Sequence, residues 1–168
     1  RDLWTNGVGK PVLNVFRMLG QMRGSRFATT STGGLTLEDV RDRSVRGQPD
    51  LSALATRDAR PVAVLVWNYH NDDLPAPAAE VSLTIEGLPA GRPTVSHYRV
   101  DQDHSNAYTL WKSMGSPGTP NRTQQAALEK AGVLQQLLPP ARHTVADGRL
   151  VLNFSLPRQG VSLVKIVW

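Results

Sequence analysis

The sequence predicts a mainly β fold: an antiparallel β-sandwich with two short helical insertions, preceded by one helix outside that plan. Three observations carry the prediction. Six or seven short strand-like runs are separated by turn signals. One of them, PVAVLVWNYH at 61–70, is almost continuously apolar, as a strand covered on both faces must be. Helical periodicity is confined to residues 10–24 and to two stretches within 108–138. At 168 residues the chain is long enough to bury a core without covalent staples.

Taken in order, residues 10–24 (KPVLNVFRMLGQMRG) read as the first helix. Pro11 suits a first helical position, where its missing N–H costs nothing. Val12, Val15, Phe16, Leu19 and Met22 form a helical stripe, and Gly24 is placed as the residue that closes the helix. A helix this apolar requires a large partner surface. Weak strands fit 26–30 and 51–56, and the central strand is 61–70. Residues 80–86 alternate, with Val81, Leu83 and Ile85 on one side and Ser82 and Thr84 on the other. A Gly-Leu-Pro-Ala-Gly turn leads to a strand at 94–100. A short helix spans 108–114. A longer one is expected over 123–138, with Leu128, Ala131, Leu134 and Leu138 on one side and Pro139-Pro140 ending it. Asp147-Gly148 marks a hairpin turn before the closing strands 150–154 and 161–168.

Composition excludes several classes of function. There is no cysteine, hence neither a disulfide framework nor a thiolate zinc site. No run of about 18 apolar residues exists to form a spanning helix, so no membrane partner is expected. The net charge of +5 is scattered. Its nearest cluster, Arg41, Arg43 and Arg46, is interleaved with Asp39 and Asp42, which describes a solvated surface and no nucleic-acid face. The start, Arg-Asp-Leu-Trp, carries neither an initiator Met nor a leader, so the chain is expected to begin within a longer protein or after processing. The compartment stays open.

Catalytic constellations are scarce. Glycoside hydrolysis normally uses two carboxyl groups about 5–5.5 Å apart for retention or 6.5–9.5 Å for inversion. The four glutamates, Glu38, Glu80, Glu86 and Glu129, form no evident pair. Glu80 and Glu86 sit at the two ends of one strand, about 20 Å apart. Asp101 and Asp103 are the one candidate carboxylate pair, and a solvated strand end is the plainer meaning. The histidines His70, His97, His104 and His143 lack ligand spacing, and Asn71-Asp72-Asp73 reads as an acidic turn before it reads as a calcium loop, so no metal and no cofactor is expected. Adjacent His104 and Ser105 make a poor nucleophile couple. Trp67 and Tyr69 share a face of the most apolar strand and are expected in the core.

The segment 97–117, HYRVDQDHSNAYTLWKSMGSP, is richer than a connection needs. A polar cluster leads directly into a helix bearing Tyr108 and Trp111 three apart. His104, Ser105, Asn106, Tyr108 and Trp111 are therefore the candidates for an interface or an active-site rim.

These residues also carry a resemblance. HYRVDQDHSNAYTLWKSMGSP, then TQQAALEKAGVLQQL, then LVLNFSLPRQGVSLVKIVW resemble the C-terminal region of glycoside hydrolase family 39, the β-xylosidases. NGVGKPVLNVFRMLGQM resembles the last helix of that family's (β/α)8 barrel, and ALATRDARPVAVLVWNYHND its accessory-domain strands. The resemblance implies that 1–24 is left from the barrel and that 25–168 is the C-terminal sandwich. It implies a parent enzyme that releases xylose from xylo-oligosaccharides with retention. The two family glutamates cannot be placed on this sequence and would lie upstream of Arg1, so the chain alone is expected to be inactive. Its expected partners are that barrel and, through the parent, the xylo-oligosaccharide. Two other readings remain: a free-standing carbohydrate-binding module, and a small hydrolase using Asp101 and Asp103.

Overall fold

The computed structural model describes residues 4–5, 7–72 and 74–168. Two short strands, β1 (Trp4–Thr5) and β2 (Val8–Gly9), pair antiparallel and feed helix α1 (Pro11–Leu19). There follow β3 (Ser25–Phe27), helix α2 (Leu37–Arg43), β4 (Asp50–Arg57), β5 (Val62–Tyr69), β6 (Ala79–Ile85) and β7 (Thr94–Val100). Helices α3 (Ala107–Ser113) and α4 (Arg122–Ala131) come next, then β8 (Gln135–Arg142), β9 (Leu150–Leu156) and β10 (Gly160–Val167). The protein is thus mainly β, with antiparallel sheets and few helices.

The main sheet has the order β3-β4-β5-β10-β7-β8. Its centre is β5 beside β10, each buried along most of its length, as the continuous apolar run at 61–70 predicts. Successive residues of β5 point to opposite faces. Val62, Val64 and Val66 join one core with Val164 and Ile166, and the paired strands β6 and β9 bring Ile85, Leu150 and Leu156 to it. Ala63 and Leu65 join a second core on the other face, with Val100, Leu163 and Met18 of α1. The sheet is therefore covered by a two-stranded ribbon on one side and by α1 on the other. The alternation of Val81, Leu83 and Ile85 places all three against the first core.

Three local expectations change. The helix predicted over 123–138 ends at Ala131, capped at Gly132, and residues 135–142 form a strand instead. Pro139 and Pro140 do not stop a helix; they lie within β8. Its place at the sheet edge explains this, because an edge strand has a side where no N–H is needed. The register shifts against β7 show the irregular pairing that accompanies them. Leu128 is buried in the helix as expected, but Leu138 projects into solvent.

The first helix is also shorter than 10–24, ending at Leu19 with Gly20 as its cap. Gly24 serves a different purpose. Its φ is +80°, and a Cβ there would lie 2.1 Å from the Arg57 carbonyl oxygen, so glycine permits the close approach of chain to β4. Helix α2 was not expected. Its signals are the Thr36 cap, whose hydroxyl accepts from the Asp39 amide, and acidic Glu38 and Asp39 in the first turn. Its arginines are exposed, with Arg41 paired to Asp42 and Arg43 to Asp39, as the solvated reading requires. The Asp147-Gly148 turn forms as predicted, with both residues at positive φ and Ala146 bonded to Arg149.

Candidate interface and substrate rim

The segment after β7 is built around one buried carboxylate. Asp101 Oδ1 accepts from the amides of Asp103 and His104, each at 2.8 Å, and lies 2.9 Å from His104 Nδ1. Its Oδ2 accepts from Arg99 Nη1 at 3.2 Å. Burial alone would raise the Asp101 carboxyl, but the hydrogen bonds from His104 and the two amides outweigh it and hold the group below the usual carboxylate range. Arg99 is itself buried. It donates to Ser162 Oγ (2.9 Å) and to the Ser155 carbonyl (3.0 Å), so this ion pair ties β7 to β10 and to the β9 ribbon. His97 lies across the same hydroxyl, 2.9 Å from Ser162 Oγ, with its ring edge against Phe154. Desolvation, with a smaller contribution from the Arg99 charge, pushes His97 down to about 4, so its ring is neutral at pH 7.

These contacts dispose of Asp101 and Asp103 as an acid/base pair. Every oxygen of Asp101 is engaged in holding the turn, and a carboxylate stabilised this way is a poor proton shuttle. They also dispose of a Ser105–His104 couple. Ser105 is fully buried at φ 54°, and its hydroxyl donates to the Arg99 carbonyl (2.6 Å) while accepting from the Gln135 amide (2.8 Å). The His104 ring turns to Asp101 instead.

The predicted site residues thus separate into two groups. His104, Ser105 and Asn106 shape the loop. Asn106 caps α3, its Oδ1 accepting from the Tyr108 and Thr109 amides and its Nδ2 donating to the Asp101 carbonyl. Tyr108 and Trp111 form a surface. Their rings stack with centroids 5.8 Å apart and planes 25° from parallel. Trp111 is half-buried, its Nε1 donating to the Pro117 carbonyl at 3.1 Å, whereas Tyr108 is exposed, with Lys112 Nζ 5.2 Å from its ring centre. Beside them a groove of about 360 Å³ runs between β2, the start of α1, α3 and α4.

Sequence reasoning missed the residue that joins this segment to α1. Asn14 is fully buried; its Nδ2 donates to the carbonyls of Ser105 (2.9 Å) and Gly132 (3.0 Å), and its Oδ1 accepts from Arg17 (2.7 Å). The available signal was one amide set inside an apolar helix. The LPRQG stretch also acquires a role. Arg158 pairs with Asp72 (3.1 Å) and donates to the Leu74 carbonyl, and Gln159 donates to the carbonyls of His70 and Asp72. Asp72 and Leu74 are thereby clamped. Asp72 is neutralised by arginine, Asp73 lies outside the described residues, and no group of three His, Cys, Asp or Glu suited to a metal occurs among the described residues. Trp67 packs partly into the second core and donates to Asp50 (2.7 Å), whereas Tyr69 stays exposed, so only the first of the pair is a core residue.

The four glutamates sit on separate surfaces: Glu38 on α2, Glu80 in β6, Glu86 just beyond it and paired with Arg149 (2.8 Å), and Glu129 on α4 accepting from Gln125. The described residues therefore present an aromatic-walled groove, and no two free glutamates come together among them.

Comparison with known proteins agrees with this architecture. Residues 3–150 match the model for glycosyl hydrolases family 39. A β-xylosidase of Caldicellulosiruptor saccharolyticus is 24% identical over 131 residues, which is 78% of this chain and 24% of that protein. Among solved structures, the GH39 enzyme from Xanthomonas axonopodis pv. citri superposes with a TM-score of 0.76 at 19% identity, over 95% of this chain and 30% of its own. A monomeric β-xylosidase from Caulobacter crescentus CB15 gives 0.73 at 18% identity, over 95% and 31%. The chain spans about a quarter to a third of the length of these relatives. With the family model covering most of its length, the chain belongs to glycosyl hydrolase family 39.

Proposed function

We propose that this chain is the C-terminal part of a retaining β-xylosidase that releases xylose from xylo-oligosaccharides. Residues 25–168 supply an accessory β-sandwich, and residues 1–24 supply the last helical segment of a (β/α)8 barrel. The two catalytic glutamates belong to that barrel, upstream of Arg1, and the chain alone is inactive.

The observation that carries this reading is the two-faced character of α1. Met18 against the sheet and Asn14 against the Ser105 loop and Gly132 are 0% exposed, while Val12, Phe16 and Leu19 on the other side are 47%, 55% and 38% exposed. A helix apolar on both sides belongs between two layers, and one layer is supplied here. The second layer is the barrel, whose outer ring consists of such helices. In this reading the Asp101 turn and Asn14 fasten the last barrel helix to the sandwich, so that the two parts move as one body.

The test compares two proteins on a chromogenic β-xyloside: this chain, and a polypeptide extended upstream through the barrel. Turnover by the extended protein alone, with retained anomeric configuration, is the expected result. Turnover by the isolated chain overturns the assignment of the carboxylates. An inactive isolated chain that binds xylo-oligosaccharides calorimetrically, encoded with no barrel upstream, establishes a carbohydrate-binding module instead.

A further inference from the structure

Arginines that are scattered along the sequence are gathered by the fold at one end of the sandwich. The strand pairing sets the start of β3, the end of β4, the start of β5, the end of β10, the start of β7 and the end of β8 side by side. Arg26 on β3, Arg57 on β4 and Arg142 on β8 share that end with Arg60 of the β4–β5 loop and Arg92 just before β7. All five are exposed, and none has an ion-pair partner among the described residues. The ribbon adds Arg149, which pairs with Glu86 (2.8 Å), while the nearby Asp58 accepts from the Ala59 amide (2.9 Å). Two adjoining clefts of about 480 and 250 Å³ open here and share Arg57 and Ala59.

We propose that this end of the sandwich is an anchoring surface for a carboxylate-bearing polysaccharide, held by guanidinium–carboxylate pairs away from the site of hydrolysis. The choice of a polysaccharide rests on the proposed glycosidase reading; the anionic character rests on the arginines. Every cation named is an arginine, whose planar fork matches a carboxylate with two parallel hydrogen bonds. From β3 to β8 the sheet has five strand-to-strand steps of about 4.8 Å, so the row runs about 24 Å, a span suited to a chain and longer than a small anion needs. Trp168, the aromatic at this end, packs against the first core, so the arginines are not accompanied by a ring on which nucleic-acid bases would stack. A second copy is a poor occupant as well: at the opposite end of the sandwich Asp50, Asp72 and Asp101 are already engaged by Trp67, Arg158 and Arg99. The position is also informative. Gln21, just past α1, accepts from Lys165 near the end of β10, so the C-terminal end of α1 points toward the arginines. Barrel helices turn their N-terminal ends to the active-site face, so in the proposed arrangement the arginines lie at the far side from hydrolysis.

The test uses the complete enzyme, barrel included, and two triple variants that remove the same charge from different places. One is Arg60→Gln, Arg92→Gln and Arg142→Gln at the proposed surface. The other is Arg41→Gln, Arg43→Gln and Arg46→Gln, on and just after the exposed helix α2. Binding to polygalacturonate and to a DNA duplex is measured at low and raised salt, with kcat/KM on methyl β-xyloside and the thermal midpoint alongside. The first variant is expected to lose affinity for polygalacturonate about tenfold and to bind with a weaker salt dependence, whereas the second stays within about twofold of the wild type. Both keep the wild-type midpoint and the wild-type kcat/KM on the small substrate. Equal loss in the two variants overturns the proposal, because net charge alone then accounts for binding. A wild-type enzyme that ignores polygalacturonate at low salt overturns it too, and one that binds the duplex more tightly assigns the surface to nucleic acid instead. An enzyme inactive on every β-xyloside whose polygalacturonate binding is lost only in the first variant refutes the parent reading and upholds the anchoring surface.

Discussion

Replacing Asn14 with alanine removes a side chain that bonds α1 to both the Ser105 loop and the end of α4. Three hydrogen bonds disappear, at 2.7, 2.9 and 3.0 Å. The Gly132 carbonyl keeps a long contact to Arg17 (3.4 Å), whereas Nδ2 of Asn14 is the side-chain donor to the buried Ser105 carbonyl. An unsatisfied buried polar group costs about 1–3 kcal/mol, and a lost hydrogen bond to a charged group about 1.5–3 kcal/mol. Since these terms overlap, the expected loss is about 3 kcal/mol. At a urea m-value of about 2 kcal/mol/M this lowers the unfolding midpoint by about 1.5 M with m unchanged. Phe16→Ala on the exposed side of the same helix is the control and should shift stability by no more than about 0.5 kcal/mol. A loss below about 1 kcal/mol for Asn14→Ala would refute the reasoning, because it would mean that water satisfies both carbonyls and α1 is only loosely attached.

Three further outcomes follow from the same structure. His97 is pushed down to about 4 from an ordinary 6.5, so between those values the unfolded chain takes up a proton that the folded chain refuses. Stability therefore falls as pH drops from about 6.5 to 4, by about 3 kcal/mol, and urea titrations of His97→Gln should lack that slope. Gly24→Ala places a Cβ 2.1 Å from the Arg57 carbonyl at a φ of +80° and should cost at least about 2 kcal/mol, read as a lower thermal midpoint. The isolated chain should self-associate through Val12, Phe16 and Leu19, and Phe16→Glu should abolish this in sedimentation velocity; a wild-type chain that stays monomeric at high concentration refutes the exposed-face argument.

Periodicity and turn chemistry made most of the sheet legible. The run at 61–70 becomes β5 because only a strand flanked on both edges and both faces buries nearly every residue. The Asp147-Gly148 turn forms because its residues tolerate the positive φ that such a turn demands. The stretch 135–142 was not legible. Leu134 and Leu138 continue a helical spacing from Leu128, and local pattern cannot reveal that β7 presents an open edge for a strand containing two prolines. Helix α2 escaped notice because it is short and exposed and carries little apolar periodicity to mark it.

The candidate site divides along the same line. Residue types alone single out 97–117, since a His, a Ser and an Asn leading into a Tyr–Trp helix exceed what a turn requires. They also show four glutamates with no evident pair among them. The tertiary structure decided what each residue does. It turned Asp101 from a candidate acid into the anchor of Arg99 and His104, buried Ser105 beneath α1, and left Tyr108 as an open aromatic wall. The physical reason is that hydrogen-bond partners and burial are set by strands distant in sequence: Ser162 and Ser155 meet Arg99, and Gly132 meets Asn14. Sequence determines which groups are available; long-range packing determines which of them are consumed in holding the fold and which stay free to bind.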